Sequence, residues 1–120
     1  ARLIGNSNDQ IWRSLGLKVS TVDSKAVESV SAKLRGGLHV QSVAPASASA
    51  RAGIQPGDIL IGMNLGSRHW ETIRPDNVLY ILKQSELTRS SVIHYYIVRQ
   101  NVVMQGTLDL VEGAMLSSRR

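Results

Sequence analysis

The sequence contains no cysteine, which excludes disulfide scaffolds, thiolate nucleophiles and cysteine-based zinc sites. Phenylalanine is also absent, and only 4% of the residues are aromatic, so few side chains are present that could stack on nucleic-acid bases. No apolar run approaches the roughly 20 residues that a membrane-spanning helix needs. We therefore expect no direct insertion into a membrane. The 120 residues suit a single domain.

The charge is basic but dispersed. The formal net charge is +5, with 14 lysines and arginines interleaved with 9 acidic residues, and no basic run exceeds two residues. A nucleic-acid site usually shows clustered basic residues. We therefore expect no nucleic-acid partner, and a basic module for nucleic acid or anionic surfaces remains the alternative from a different functional class.

The chain shows no sign of catalytic chemistry. The Gly-x-Ser-x-Gly pattern of a serine nucleophile is absent, and His39, His69 and His94 are isolated from one another. None of the three has the spacing of a metal-ligating pair. The sequence predicts that this part of the protein is not an enzyme and holds no metal or cofactor.

Hydrophobic periodicity predicts short strands separated by helices. Leu17 and Val19 alternate with polar residues, as in a half-buried strand. Further strands are predicted at residues 38–43, at 58–64 and on both sides of a hairpin turn at 99–101. Helices are predicted from Asp23 or Ser24 to Leu34, over a stretch of small residues ending at Gly53, and at 76–84. This order predicts a mainly β, α+β fold, in which five to six short strands form a partly open barrel or sandwich capped by two helices.

The ends of the chain differ from its middle. Residues 1–11 are rich in Asn, Ser and Gly and mostly aperiodic, so they are predicted to be a linker or lead-in. Residues 12–111 form the predicted domain, and 112–120 are predicted to be a C-terminal tail. Since the start has neither an initiator Met nor a signal peptide, we interpret the chain as a piece of a longer protein, with any targeting signal outside it.

Three segments together resemble a PDZ domain of the kind attached to HtrA/Deg-type, trypsin-like bacterial serine proteases. The most specific segment runs through Gly37-Leu38-His39-Val40 and Val43-Ala44-Pro45 to Ala52-Gly53-Ile54-Gln55-Pro56-Gly57-Asp58-Ile59-Leu60. The second is Leu15-Gly16-Leu17, which is similar to the family's carboxylate-binding loop and implies the permuted strand order of bacterial members. The third is Asp76-Asn77-Val78-Leu79-Tyr80-Ile81-Leu82, which resembles the groove-forming helix. The chain departs from the family pattern at Asn64-Leu65-Gly66-Ser67 and at Arg99-Gln100-Asn101.

The resemblance implies a site for the C-terminus of another polypeptide, added as a strand to residues 17–20. Backbone N–H groups of the Gly16 loop would hold the carboxylate, with Arg13 adding positive charge. Apolar walls from the first strand and the second large helix would hold the last side chain of the ligand. The predicted peptide-binding residues are Arg13, Leu15, Gly16, Leu17, Lys18, Val19, Leu79 and Leu82.

Each of these residues also has a purely structural interpretation, which the sequence leaves open. The four leucines could be ordinary core residues, Gly16 could serve only a turn, and Arg13 could be solvated. We expect a bulky β-branched residue in place of Gly16 to abolish binding while leaving the domain folded.

The implied function is capture of apolar C-terminal tails of misfolded or client proteins, with affinity on the order of micromolar. In the family, such a domain regulates or feeds a serine protease domain, here N-terminal to residue 1, in the bacterial cell envelope or periplasm. A PDZ domain of another processing protease or of a secretion scaffold is the alternative within the family. The resemblance implies no cofactor.

Overall fold

The computed structural model describes residues 6–110 of the chain. This part contains three α-helices, one turn of 3-10 helix and six strands. The helices are α1 (Asn6–Leu15), α2 (Ala48–Ala52) and α3 (Pro75–Thr88), and the 3-10 turn is Ser24–Ala26. The strands are β1 (Leu17–Asp23), β2 (Gly36–Val43), β3 (Ile59–Leu65), β4 (Arg68–Glu71), β5 (Val92–Arg99) and β6 (Val102–Asp109). No helix in this part of the chain has the length and apolar character to cross a membrane.

The strands form one antiparallel, unclosed sheet in the order β1-β2-β3-β5-β6, and β4 pairs with β3 beside this path. Val19 of β1 lies opposite Val40 of β2, after an irregularity at Lys18. The predicted mainly β, partly open fold is confirmed. Two elements of the structure, β4 and α1, were not predicted from the sequence.

The core lies between this sheet and the two longer helices. Residues of β1 and β5 largely alternate between the core and the surface, as expected for strands with one face in the core, whereas β3 is buried along most of its length. The largest fully buried side chains come from α1, the strands and α3, and those of the main cluster include Ile11, Leu15, Leu17, Leu38, Val40, Leu60, Met63, Ile81, Ile93, Ile97 and Leu108. Residues from both chain ends of the described part thus share one core.

The helix predicted up to Leu34 is wrong. Only Ser24–Ala26 are helical, as a single 3-10 turn that begins where the Asp23 carboxylate accepts a hydrogen bond from the N–H of Lys25 at 3.0 Å. Serine and valine, which supply five of the twelve residues from Asp23 to Leu34, are weak helix formers. Val27 is fully buried and packs with Ile61 and Val98 in a second, smaller cluster. The apolar spacing therefore reflects burial of one side of a series of turns.

Two predicted joints are confirmed in detail. The helix of small residues, α2, is capped by the Ser47 hydroxyl, which accepts a hydrogen bond from the N–H of Ala50 at 3.1 Å, and it ends at Gly53 with φ +93°. The β5–β6 hairpin turns through Gln100 and Asn101, with φ values of 54° and 65°. Two successive positive φ angles are typical of a two-residue type I′ turn, and Asn tolerates them well.

Polar contacts fix α2 and the following turn to the end of β5. The Asp58 carboxylate is buried and accepts hydrogen bonds from Arg99 Nη2 at 2.7 Å and Nε at 2.8 Å, and from the N–H of Gln55 at 2.8 Å. The hydrogen bond with Asp58 raises the pKa of Arg99. The Tyr95 hydroxyl donates to the carbonyl of Ala52 at 2.8 Å, and burial raises the pKa of Tyr95.

The N-terminal segment differs from the predicted lead-in. Residues 6–11 begin α1, and the boundary predicted at Trp12 falls inside this helix. Helix α1 packs against both β1 and α3, and Ile11 is fully buried. Residues 1–5 and the predicted tail at 112–120 lie outside the described residues.

Candidate functional site

Gly16 joins α1 to β1 in a conformation that favours glycine. Its φ is +78°, and an added Cβ would lie 2.2 Å from the Cβ of Ser47. Its N–H donates to the carbonyls of Ile11 at 3.1 Å and Trp12 at 2.9 Å, which caps the end of α1. A β-branched residue at this position would collide with Ser47, so the structure predicts that it also destabilises the domain.

The outer edge of β1 already has a partner. Strand β1 lies at the end of the sheet, and its inner edge pairs with β2. On the outer side, the N–H of Val19 donates to Oδ1 of Asn8 in α1, at 3.3 Å. An added peptide strand would use this same group, since main-chain hydrogen bonding at a sheet edge is how strand addition works.

The apolar space beside β1 is also filled. Leu15, Leu17 and Val19 are 1%, 0% and 3% exposed, so the wall predicted for a ligand is inside the core. Ile11 of α1 is 0% exposed and belongs to the same cluster, together with Ile81 of α3. The structure thus brings together Leu15, the last residue of α1, and Leu17 and Val19 of β1. Ile11 packs in the same apolar cluster.

The α3 side of the predicted pocket lies next to α1. Leu79 and Leu82 are partly buried and pack on the core. They line a groove of about 750 Å³ together with Gln10 and Ser14 of α1. Leu79 and Leu82 of α3 therefore lie beside α1.

The predicted cationic residues lie at the surface. Arg13 is exposed in the last turn of α1, where a positive charge interacts favourably with the helix dipole. Lys18 is exposed in β1. In the described part of the chain, no group of three or more His, Asp or Glu side chains is arranged to hold a metal ion.

Asn8 and Ile11 are the site residues that the sequence analysis missed. The four-residue spacing of Ile11 and Leu15 is the helical signal that could have revealed α1. Nothing in the sequence marks Asn8, because its role depends on where the helix packs.

The direction of α1 follows from its contacts at both ends. Near its start, the Ser7 hydroxyl donates to the Asp76 carboxylate in the first turn of α3, at 2.7 Å. Its end is joined to β1 through Gly16. Because Asn8, near the start of α1, also contacts Val19, α1 folds back from the Gly16 loop and runs antiparallel to β1.

The family model of the PDZ domain matches residues 8–88. The chain belongs to the PDZ family. A PDZ domain is a binding module, so the part of the protein described here is not itself catalytic. No curated protein sequence matches the chain significantly.

Among the solved structures that are similar to this PDZ domain are PDZ domains of HtrA-type proteins. The HtrA3 PDZ domain bound to a phage-derived ligand, FGRWV, is 27% identical, with a TM-score of 0.56 over 79% of this chain and 81% of that one. The HtrA-type protease AlgW with a decapeptide is 19% identical, with a TM-score of 0.55 over 90% of this chain and 34% of that one. The chain therefore spans about a third of AlgW. The predicted resemblance to HtrA-type PDZ domains is confirmed.

A PDZ domain from another setting is also similar in fold. The PDZ domain of EpsC from Vibrio cholerae is 17% identical, with a TM-score of 0.52 over 80% of this chain and 95% of that one. At this identity, as for AlgW, the similarity shows the fold alone.

Proposed function

We propose that this PDZ domain binds C-terminal peptides by strand addition to β1, with the carboxylate at the Gly16 loop. The observation that carries the proposal is the outward N–H of Val19 on an edge strand that begins at a glycine with φ +78°. An outward backbone donor beside an apolar slot is the arrangement that strand addition requires. The HtrA3 PDZ domain, which is bound to the ligand FGRWV, supports the binding of a short peptide.

The proposed apolar slot, which lies between β1 and α3, selects an apolar residue at the C-terminus of the peptide. The side chains that would surround that residue are Leu15, Leu17 and Val19, with Leu79 and Leu82 on the α3 side, and none of them offers a polar partner. Burial of one apolar side chain contributes roughly 1.5–3 kcal/mol. Because the peptide loses conformational freedom on binding, the net affinity is on the order of micromolar.

We further propose that the domain serves an HtrA-like serine protease of the bacterial envelope by presenting tails of misfolded or client proteins to it, or by regulating it. The similarity to HtrA3 and AlgW supports this setting. The fold similarity to EpsC keeps a secretion scaffold as the second candidate. A trypsin-like triad encoded upstream of residue 1 would establish the first, and its absence would favour the second.

Calorimetric titration with FGRWV tests the binding mode. The free acid is expected to bind in the micromolar range, and the C-terminal amide about tenfold or more weakly, because amidation removes the charge that the backbone N–H groups hold. Equal affinities, or no binding of either peptide, would contradict the proposal. Affinity for oligonucleotides with a steep salt dependence would instead support the basic-surface alternative.

A matched pair of variants on α3 tests the location. Leu82→Ala is expected to weaken binding of the acid peptide, because Leu82 lines the proposed slot. Leu87→Ala, the same truncation at a residue that is 67% exposed, is expected to leave binding unchanged. Equal effects of the two variants would place the peptide elsewhere.

A further inference from the structure

We propose that α1 is an internal occupant of the peptide site, so that a peptide binds only when α1 leaves β1 and α3. The inference rests on the proposed function and concerns the regulation of that same site. It makes the segment preceding β1 a competitive inhibitor built into the chain.

Each element of peptide recognition has a partner within α1. Asn8 accepts the outward hydrogen bond of Val19 at 3.3 Å, as a peptide carbonyl would. Ile11 is fully buried beside the apolar wall, as the last side chain of a ligand would be. The carbonyls of Ile11 and Trp12 accept from the N–H of Gly16, as a terminal carboxylate would.

The direction of α1 is also that of a ligand. A peptide with its carboxylate at Gly16 and its main chain along β1 must run antiparallel to that strand. Helix α1 runs the same way, from Ser7 near Asp76 to its end at Gly16. A bound peptide and docked α1 therefore compete for the same volume as well as for the same donors.

The attachment of α1 is slight enough to be reversible. Among residues 7–14, only Ile11 is buried, and Leu15, at the end of α1, stays as part of the apolar wall. The contact with Asp76 is exposed, and Trp12 on the outer face is 42% exposed. A helix of ten residues is marginal without its tertiary contacts, so release from β1 and α3 is accompanied by loss of the helix.

With competition of this kind, the apparent affinity for the peptide equals the affinity of the open site multiplied by the fraction of molecules in which the site is open. If α1 is docked in about 99% of the molecules, the peptide binds about 100-fold more weakly than it would bind to the open site. A change that weakens docking without touching the slot must then tighten peptide binding. Asn8→Ala is such a change, because it removes one hydrogen bond of α1 and frees the Val19 N–H.

The test is a reversible lock. Since the chain has no cysteine, the double variant Ser7→Cys with Asp76→Cys has a single available disulfide. The two native side-chain oxygens are 2.7 Å apart, so the replacement thiols lie close to each other when α1 is docked. We expect the oxidised form to bind FGRWV at least about tenfold more weakly than its reduced form, and Asn8→Ala to bind about three- to tenfold more tightly than the unaltered chain.

The outcomes separate the two proposals. Failure of the disulfide to form in the folded protein would show that α1 does not dock on α3. Equal affinity of the locked and reduced forms would show that docked α1 does not compete with the peptide. Either result overturns this inference and leaves the proposal of peptide binding intact. Unchanged or weaker binding by Asn8→Ala also overturns it. Absence of binding by every form, with folding verified by circular dichroism, overturns the proposed function and this inference with it.

Discussion

Oδ1 of Asn8 accepts a hydrogen bond from the backbone N–H of Val19 at 3.3 Å, and this contact joins α1 to the free edge of β1. The donor belongs to the strand on which a PDZ ligand is proposed to add. The acceptor belongs to a segment that the sequence indicated only as a lead-in. In the proposed regulation, a bound peptide takes the place of Asn8 at this donor.

Ile11→Ala is expected to lower the free energy of unfolding by about 2–4 kcal/mol, because it removes a fully buried side chain from the main core. Trp12→Ala, next to it but 42% exposed, is expected to cost less than about 1 kcal/mol. Urea denaturation measures both values. A larger loss for Trp12→Ala than for Ile11→Ala would mean that α1 packs through its other face.

Asp58→Asn is expected to destabilise the domain by about 2–4 kcal/mol, since the buried carboxylate pairs with Arg99 and also accepts from Gln55. The matched change at a surface pair is Glu71→Gln, whose partner Arg35 has a side chain 72% exposed. Its expected cost is about 1 kcal/mol or less. Similar midpoints of thermal unfolding for the two variants would contradict the structural role of Asp58.

The raised pKa of Tyr95 predicts a loss of stability at alkaline pH. Because burial raises the pKa in the folded state above the ordinary 10.0, the unfolded state ionises first as pH rises. The contribution is therefore complete below pH 10.0 and is lost as pH rises through the folded pKa. Tyr95→Phe should be less stable at neutral pH by about 1 kcal/mol, through loss of the bond to Ala52, and should lose less stability above pH 10.0. Parallel pH profiles of the two proteins would contradict this.

Gly16→Ala is expected to be more destabilising than Gly53→Ala, although both positions have positive φ. At Gly53 nothing lies within 4 Å of an added Cβ, so only the backbone strain of about 1–2 kcal/mol remains. At Gly16 the Cβ would also lie 2.2 Å from that of Ser47. Denaturation of the two variants checks the order, and equal losses would show that the Gly16 loop is free to move away from Ser47.

Local patterns were sufficient for most of the fold. The alternation of Leu17 and Val19 predicted β1, and Gly53 and Asn101 marked joints that need left-handed backbone. The prediction of a helix up to Leu34 failed because apolar residues at helical spacing can arise from a helix or from a series of turns. The valines between Asp23 and Leu34 recur at helical spacing because turns bury them against Ile61 and Val98.

Sequence patterns identified residues that lie around α1, but they did not predict that α1 itself packs there. Leu15, Leu17 and Val19 belong to one buried cluster, and Leu79 and Leu82 line a groove together with residues of α1. Sequence patterns describe one element at a time, whereas the position of α1 depends on how it packs against β1 and α3 in space. Only the three-dimensional packing shows that one short helix contacts the outer edge of β1, the buried apolar cluster and Gly16.

The most direct measurement is chemical-shift mapping of the ¹⁵N-labelled chain with FGRWV as free acid and as amide. The account predicts that the acid shifts the backbone amides of Gly16 and Val19, shifts the side-chain amide of Asn8 as it loses its partner, and removes the helical shifts of α1. The amide at equal concentration should produce little of this. Shifts confined to β6, or a response of β1 with α1 still helical and docked, would contradict it.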